Sequence, residues 1–260
     1  MTSVKLDIDD QGIAWVTLAR PEKHNALDMT MFKSIDKTIS QIKQHKHVRV
    51  VILNGSGVDF CTGLDIKSVM VNKSNAIKLL FKVLPFRANL AQKISYRWQS
   101  LNVPVIAAIH GRCWGGGMQI ALGADFRIAT PDASMSIMEA KWGLIPDMAG
   151  NKPLSQLVPI DQAKKLVMTA EILSGEQALA HNLVTELSAD PNEAAKAFAE
   201  KLLQTSPDVL KHCKHLYNQQ WHKSSARFLM AETWRQIKII LGKNQSIAVK
   251  RANGKNMPFK

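Results

Sequence analysis

Apolar and polar positions along this chain predict short buried strands interleaved with helices, an α/β pattern. The apolar run at residues 103–109 (VPVIAAI) is too short to cross a membrane and reads as a buried strand. Residues 13–19 (IAWVTLA) read as another, ended at Arg20-Pro21 because proline has no N–H for the ladder. Residues 51–54 (VILN), 134–138 (SMSIM) and 183–187 add three more. Helical periodicity marks residues 29–42, with Asn25 or Asp28 as cap, then 161–170 and 174–181, with Ser174 as cap. From Asn192 onward the pattern is helical, with breaks at Pro207 and Gly242. Residues 68–100 are helix-prone but poorly patterned, and Met70, Leu79, Leu80, Phe81, Leu84 and Phe86 within them are expected as plain core.

The pattern changes character at residues 110–124 (HGRCWGGGMQIALGA). A sharp turn at His110-Gly111 follows the strand, and Gly115, Gly116 and Gly117 lead into a helix packed by Ile120, Ala121 and Leu122. Glycine is costly inside a helix and useful just before one, where backbone can approach a ligand with no Cβ in the way. The first amides of a helix lack intrahelical partners and point outward as donors to a negatively charged oxygen. Close packing of helix on strand is the other use of such glycines, and the residues alone leave both open. Neither GxxxxGK[ST] nor GxGxxG is present here, which argues against a nucleoside triphosphatase or a dinucleotide oxidoreductase.

A second glycine-bearing stretch, residues 60–67 (FCTGLDIK), follows the Gly55-Ser56-Gly57 turn. It resembles the F-[SC]-x-G-x-D-[IL] segment of the crotonase (enoyl-CoA hydratase/isomerase) superfamily. GRCWGGGMQIALGADFRIAT, starting at Gly111, resembles that family's G-x-x-x-GGG-x-E-L-x-x-x-x-D-x-R-x-A segment. Residues 20–27 (RPEKHNAL) are similar to RP-x-x-x-NAL, and residues 138–150 (MEAKWGLIPDMAG) to PE-x-x-x-G-x-x-P-x-x-G. Residues 171–187 (EILSGEQALAHNLVTEL) are similar to the family at the corresponding place.

By that resemblance the fold is a crotonase-like spiral of ββα units with a helical C-terminal oligomerisation segment. Residues 1–200 would be the acyl-CoA-binding core and residues 201–260 the helical segment. The backbone amides of Leu64 and Gly116 would hold a thioester oxygen, each such donor contributing about 3 kcal/mol to a developing oxyanion. Lys23, His24, Asn25, Ala26 and Leu27 would lie along the adenine end of coenzyme A, largely through backbone. Asp65, Ile66 and Lys67 would lie beside its pantetheine and adenine groups, although Lys67 reads equally as a solvated lysine. Cys61 reads as a small buried hydrophobe.

Three positions bear on the chemistry. Hydrating crotonases carry glutamate in GGG-x-E, whereas this chain has Gln119, whose amide orients a water or substrate but cannot take and return a proton. Its other reading is a locally hydrogen-bonded helix residue. Glu139 matches the family's other catalytic glutamate; solvated surface is the alternative. Asp147 stands where hydratases usually have glycine and resembles the second acid/base group of the dienoyl-CoA isomerase branch. That branch has a third acid where this chain has Gln119. Two carboxylates at opposite ends of a conjugated system suit a proton shuttle. Asp147, after Pro146, reads equally as a helix N-cap. Pro153 is a further departure, from the family's GGTQRL.

Composition adds limits. With 260 residues, 46% of them hydrophobic, one soluble domain with a full core is expected. Residues 1–10 lack an apolar signal region, and Cys61, Cys113 and Cys213 show no CxxC spacing, which together suit a cytoplasmic protein with reduced thiols. Residues 201–260 hold 12 Lys/Arg against 2 Asp/Glu, a net +10 within a whole-chain +13. Such an end can attract nucleic acid, but no binding motif accompanies it, and a field drawing in coenzyme A phosphates is simpler. HCKH at residues 212–215 falls short of the ligand set zinc needs. No metal is expected, and no cofactor beyond coenzyme A as part of the substrate.

The expected function is double-bond isomerisation of an enoyl- or dienoyl-CoA by enolate stabilisation, with Glu139 and Asp147 as acid/base groups. Hydration of a 2-enoyl-CoA is the second reading, and thioester hydrolysis or decarboxylation the third. A non-catalytic acyl-CoA- or RNA-binding protein is the reading of a different class. The expected partners are an acyl-CoA thioester and copies of the chain in a trimer or hexamer, with no membrane.

Overall fold

The computed structural model describes residues 3–70, 73–82, 84, 86–221 and 223–260. β1 (Val4–Ile8) and β2 (Ile13–Leu18) pair antiparallel, and α1 (Met29–Gln44) crosses to β3 (Val50–Gly55), which lies parallel to β2. Asp28, not Asn25, caps α1, its carboxylate accepting from the Met31 amide at 2.8 Å. Three short helices follow: α2 (Ile66–Met70), α3 (Lys73–Leu80) and α4 (Leu90–Gln99), the last opened by a capping box of Asn89 and Gln92. β4 (Val105–Ile109), β5 (Arg112–Trp114) and α5 (Gly116–Leu122) make one ββα unit, and β6 (Phe126–Ala129) and β7 (Ser134–Ser136) begin the next. α6 (Asn151–Leu157), α7 (Ile160–Thr169) and α8 (Gly175–Ala180) lead to β8 (Glu186–Leu187).

The main sheet runs β1-β2-β3-β4-β6-β8, parallel apart from its first pair, while β5 and β7 pair parallel in a second, small sheet. Successive strand residues face opposite sides. Ile13, Val50, Ile52, Ile106, Ala108 and Ile128 therefore meet α9 (Pro191–Leu203) through Ala195 and Ala199. Val16, Val51, Leu53, Ala107 and Ile109 enter the larger core with Phe32, Ile35, Ile94, Trp98 and Ile120 from α1, α4 and α5. Beyond α9 come α10 (Pro207–Gln220), α11 (Ser225–Ile240) and α12 (Lys243–Ala252). Lys214 fastens α10 to the body, its buried ammonium donating to Trp98 O at 2.9 Å and Val103 O at 2.8 Å and pairing with Asp125 at 2.7 Å. Burial pushes that ammonium's pKa down, and Asp125 opposes the shift.

Some expectations change. The strand at residues 183–187 shrinks to Glu186–Leu187, because the Leu183 and Val184 amides turn back to Ala178 O. The strand at residues 134–138 stops at Ser136, and Glu139 opens a 3-10 turn, Glu139–Trp142. In residues 68–100 Leu79 is buried, but Leu80, Phe81, Leu84 and Phe86 are exposed and not core. The side chain of Met70 lies outside the described residues. Asp147 is not a helix cap: α6 begins after Gly150 and has no side-chain cap bond. Gly116 and Gly117 fall inside the first turn of α5, not before it. Among the described residues no helix is long and apolar enough to cross a membrane.

Candidate active site

The site grows from two turns at the carboxyl ends of β3 and β4. Their stitching is backbone: the Cys61 amide donates to Arg112 O at 3.0 Å and the Trp114 amide to Cys61 O at 2.9 Å. These bonds set the segment carrying Gly63 and Leu64 beside the one carrying Gly115 and Gly116. The approach is close enough that a methyl on Gly63 would stand 3.2 Å from Gly116 N and 2.8 Å from Trp114 O. Gly63 also has φ +86°, where side chains are strained. Among the described residues neither the Leu64 nor the Gly116 amide has an intramolecular acceptor.

Both amides belong to residues lining a cavity of about 540 Å³, which Glu139 and Asp147 also line. Its remaining wall is mostly apolar, including Phe32, Val69, Leu79, Trp114, Trp142 and Met148. Trp114 and Trp142 join the wall unforeseen; their one local signal is position, Trp114 directly before the three glycines and Trp142 three residues after Glu139.

Gln119 lies behind Glu139. It is 1% exposed, and its Nε2 donates to Glu139 Oε1 at 2.5 Å. Its Oε1 accepts from the Met148 amide at 2.9 Å and the Gly150 amide at 3.2 Å. An amide held at both ends is fixed in orientation, and it presents N–H, not a lone pair, to the carboxylate. Gln119 is thus neither a cavity wall nor a proton acceptor. Glu139 Oε2 is buried with no hydrogen-bond partner among the described residues, a costly state that buried acceptors rarely show. Burial raises the Glu139 pKa, the Gln119 bond and its own amide lower it in part, and the Asp147 charge raises it again. Asp147 is reached by solvent, yet the protein around its carboxyl desolvates it enough to raise its pKa too.

The 20–27 loop lies against the first turn. Thr62 donates to His24 O, Leu27 to Gly63 O at 2.7 Å, and Asp65 to Leu27 O at 3.0 Å. Asn25 and Leu27 are fully buried, backbone included, and their main-chain groups are taken up within the protein, so they shape the loop and do not face a ligand. The Asn25 amide group spans Ser56 O and Asp59 O and accepts from Arg20 N, which holds the loop's left-handed step at His24 and Asn25. Lys23, Ala26 and Lys67 remain accessible, and Ile66 lines the cavity. The Asp65 carboxylate is committed to Arg20 at 3.0 Å and to the Ser68 amide at the start of α2.

An unforeseen charge cluster supports this loop. Asp59 takes two side-chain bonds from Arg112, at 2.7 and 2.8 Å, and contacts His24 Nδ1 at 2.8 Å. Burial alone would raise the Asp59 pKa; the Arg112 bonds outweigh it and hold the carboxyl below its usual value. The partners lie 53 residues apart, a separation no local motif encodes. Cys61 is fully buried, and burial pushes its thiol to about 12, so it packs as an apolar group. The HCKH side chains disperse: Lys214 turns inward, while His215 bonds Asn102 and Gln219.

Comparison with known proteins agrees with this architecture. The crystal structure of an enoyl-CoA hydratase from Bacillus anthracis superposes with a TM-score of 0.89 at 25% identity, over 99% of this chain and 98% of that one. The chain is 34% identical to a short-chain-enoyl-CoA hydratase of Clostridium acetobutylicum over 211 residues, 79% of this chain and 77% of the other. It is 33% identical to a probable enoyl-CoA hydratase of Bacillus subtilis, over 81% of this chain and 80% of that protein. Residues 9–245 match the family described as enoyl-CoA hydratase/isomerase, and it is to this family of enzymes, with the crotonase fold, that the chain belongs.

Proposed function

We propose that the protein isomerises the double bond of an enoyl- or dienoyl-CoA, with the thioester oxygen held by the Leu64 and Gly116 amides. The observation that carries this reading is the set of carboxylates facing the cavity: Glu139 and Asp147, with Gln119 withdrawn. Two preset N–H donors stabilise the enolate that forms when a proton leaves the carbon next to the thioester. The Glu139 carboxylate, which lines the cavity, takes that proton. The C3–C4 double-bond electrons are then delocalised into the enolate, and reprotonation at C4 leaves the double bond at C2–C3. Asp147 supplies the C4 proton, and its raised pKa favours the protonated form this requires. Solvent access to Asp147 lets the two carboxyls return to their starting states.

Coenzyme A lies with its adenine end along the 23–27 loop, against the accessible Lys23, His24 and Ala26, with the buried Asn25 and Leu27 holding the loop's shape. Asp65 contributes its backbone and the placement of α2, its carboxylate being engaged by Arg20. Ile66 and Lys67 flank the pantetheine arm. Gln119, donating to Glu139 Oε1, fixes the orientation of the carboxylate at the cavity.

Hydration is the second reading, favoured by the names of the relatives, among them the short-chain-enoyl-CoA hydratase of Clostridium acetobutylicum. Ultraviolet absorbance separates the two. Isomerisation of a 3-enoyl-CoA creates the conjugated 2-enoyl thioester and raises its absorbance, whereas hydration of crotonyl-CoA removes it. Faster loss of crotonyl-CoA than gain from 3-enoyl-CoA would replace the first reading with the second. Absence of turnover with both would leave acyl-CoA binding as the function.

A further inference from the structure

The opposite end of the sheet holds a cavity with a different character. Its volume is about 510 Å³, within the range of small-ligand sites, and none of its lining residues lines the Glu139 cavity. Residues 45–49 and 101–104, which border it, precede β3 and β4, whereas the Leu64 and Gly116 turns follow those parallel strands. A six-residue strand separates the two ends by about 20 Å.

The wall is strongly basic. Lys43, Lys46, Arg49, Lys211 and Lys260 line it against a single acidic side chain, Asp208. Asp208 is already an acceptor, for Asn244 Nδ2 at 2.8 Å. His45 and His47 also border the space. Arg49 is fixed in place: its Nη2 donates to Thr205 O at 3.1 Å, and its guanidinium lies 5.9 Å from the centre of the Phe259 ring. The Arg251 guanidinium lies 4.7 Å from the centre of the same ring, so Phe259, which lines the cavity, has two guanidiniums within cation–π distance. Arg49 Nε is buried and has no acceptor among the described residues. A buried, unpaired guanidinium N–H is unusual, and guanidinium groups are favoured partners of phosphate oxygens. The first turn of α10, Pro207 to Lys211, borders the same space without a side-chain cap, and its positive end adds to the field.

We infer that this cavity is a second binding site, for a small phosphorylated anion, formed by Arg49, Lys46 and Lys211 at the end of the sheet remote from Glu139. The excess of positive side chains suits a ligand with several negative charges, such as a pyrophosphate or a phosphate ester, and not a monocarboxylate. No residue of the site takes part in the proposed proton transfer, so occupancy is readable independently of turnover.

Calorimetric titration of the full chain with inorganic pyrophosphate tests the inference. One saturable site is expected, weakened at least about tenfold by the double variant Lys46→Glu/Lys211→Glu, since a bond to a charged group contributes about that factor. Lys37→Glu, an exposed charge on α1 outside the cavity, is expected to leave the affinity within twofold of the parent, as a general charge effect would not. The double variant is expected to keep its basal turnover of acyl-CoA, which also reports that it is folded. No saturable binding, equal affinity in the double variant, or complete displacement of pyrophosphate by coenzyme A would overturn the assignment. A titration in which an RNA oligomer binds more tightly than pyrophosphate through the same lysines would replace the small ligand with a polynucleotide.

Discussion

Glu139 lines the cavity with Oε1 tied to Gln119 and Oε2 buried without a partner among the described residues. Glu139→Gln keeps the volume and removes the base, so acyl-CoA binding should persist while turnover falls by a factor on the order of 10² to 10⁴. Steady-state kinetics beside a binding titration reads both; full activity in the variant removes Glu139 from the mechanism. The pH dependence has a defined sign. Burial raises the native Glu139 pKa above its unfolded value, so the native state holds this proton more tightly, and stability falls as pH rises through the interval between the two values. Glu139→Gln should therefore gain in melting temperature relative to the parent above that interval. The acid limb of the kcat/KM profile should lie above the ordinary glutamate value. Gln119→Leu should strand Glu139 Oε1 and the Met148 and Gly150 amides, costing about 1–3 kcal/mol for each group left unpaired and lowering kcat more than it changes KM. That role was closed to sequence reading, because the amides it holds lie 29 and 31 residues further on. The substitution itself was legible, and with it the loss of a second carboxylate at that position.

Elements were most legible where one short period held throughout. The run VPVIAAI, the glycine turn and the start of α5 could be placed because a strand, a tight turn and a helix each leave a distinct local signal. In residues 68–100 Ile77, Leu80, Phe81, Leu84, Phe86 and Tyr96 are exposed beside the buried Ile94 and Trp98, so pattern could not separate core from surface. The glycines of α5 fit both uses left open by the residues alone. Gly116 lines the cavity, and its amide has no acceptor among the described residues, while Gly117 packs so tightly that a Cβ would lie 2.3 Å from Cys61 O. Gly117→Ala must displace backbone that joins the two turns. Denaturant unfolding should show a loss on the order of 1–3 kcal/mol, as overpacked cores do, with kcat reduced alongside. An unchanged midpoint and rate would mean that the turns tolerate separation.

At the scale of the molecule, the C-terminal helices join the body through few but strong contacts. Lys214→Met leaves Asp125 without its cation and Val103 O without its donor, a change expected to cost about 3–5 kcal/mol in chemical denaturation. Trp221, Leu229, Met230 and Trp234 on and around α10 and α11 are exposed, more apolar surface than a helix pair ordinarily leaves to water. Light scattering is expected to give a homotrimer or hexamer, with Trp234→Asp shifting it toward smaller species. The helical character of this end was legible from its periodicity, and the fold of residues 1–200 from motifs whose order the family fixes. The Asp59–Arg112–His24 cluster and the Lys214 anchor were not, since each joins residues brought near one another only by the completed sheet. The central claim, proton removal beside a thioester held by the Leu64 and Gly116 amides, is tested most directly by solvent-deuterium incorporation into a 3-enoyl-CoA, followed by proton magnetic resonance. Loss of the C2 proton signal with the parent and none with Glu139→Gln is the predicted result, and equal exchange by the two proteins would contradict it.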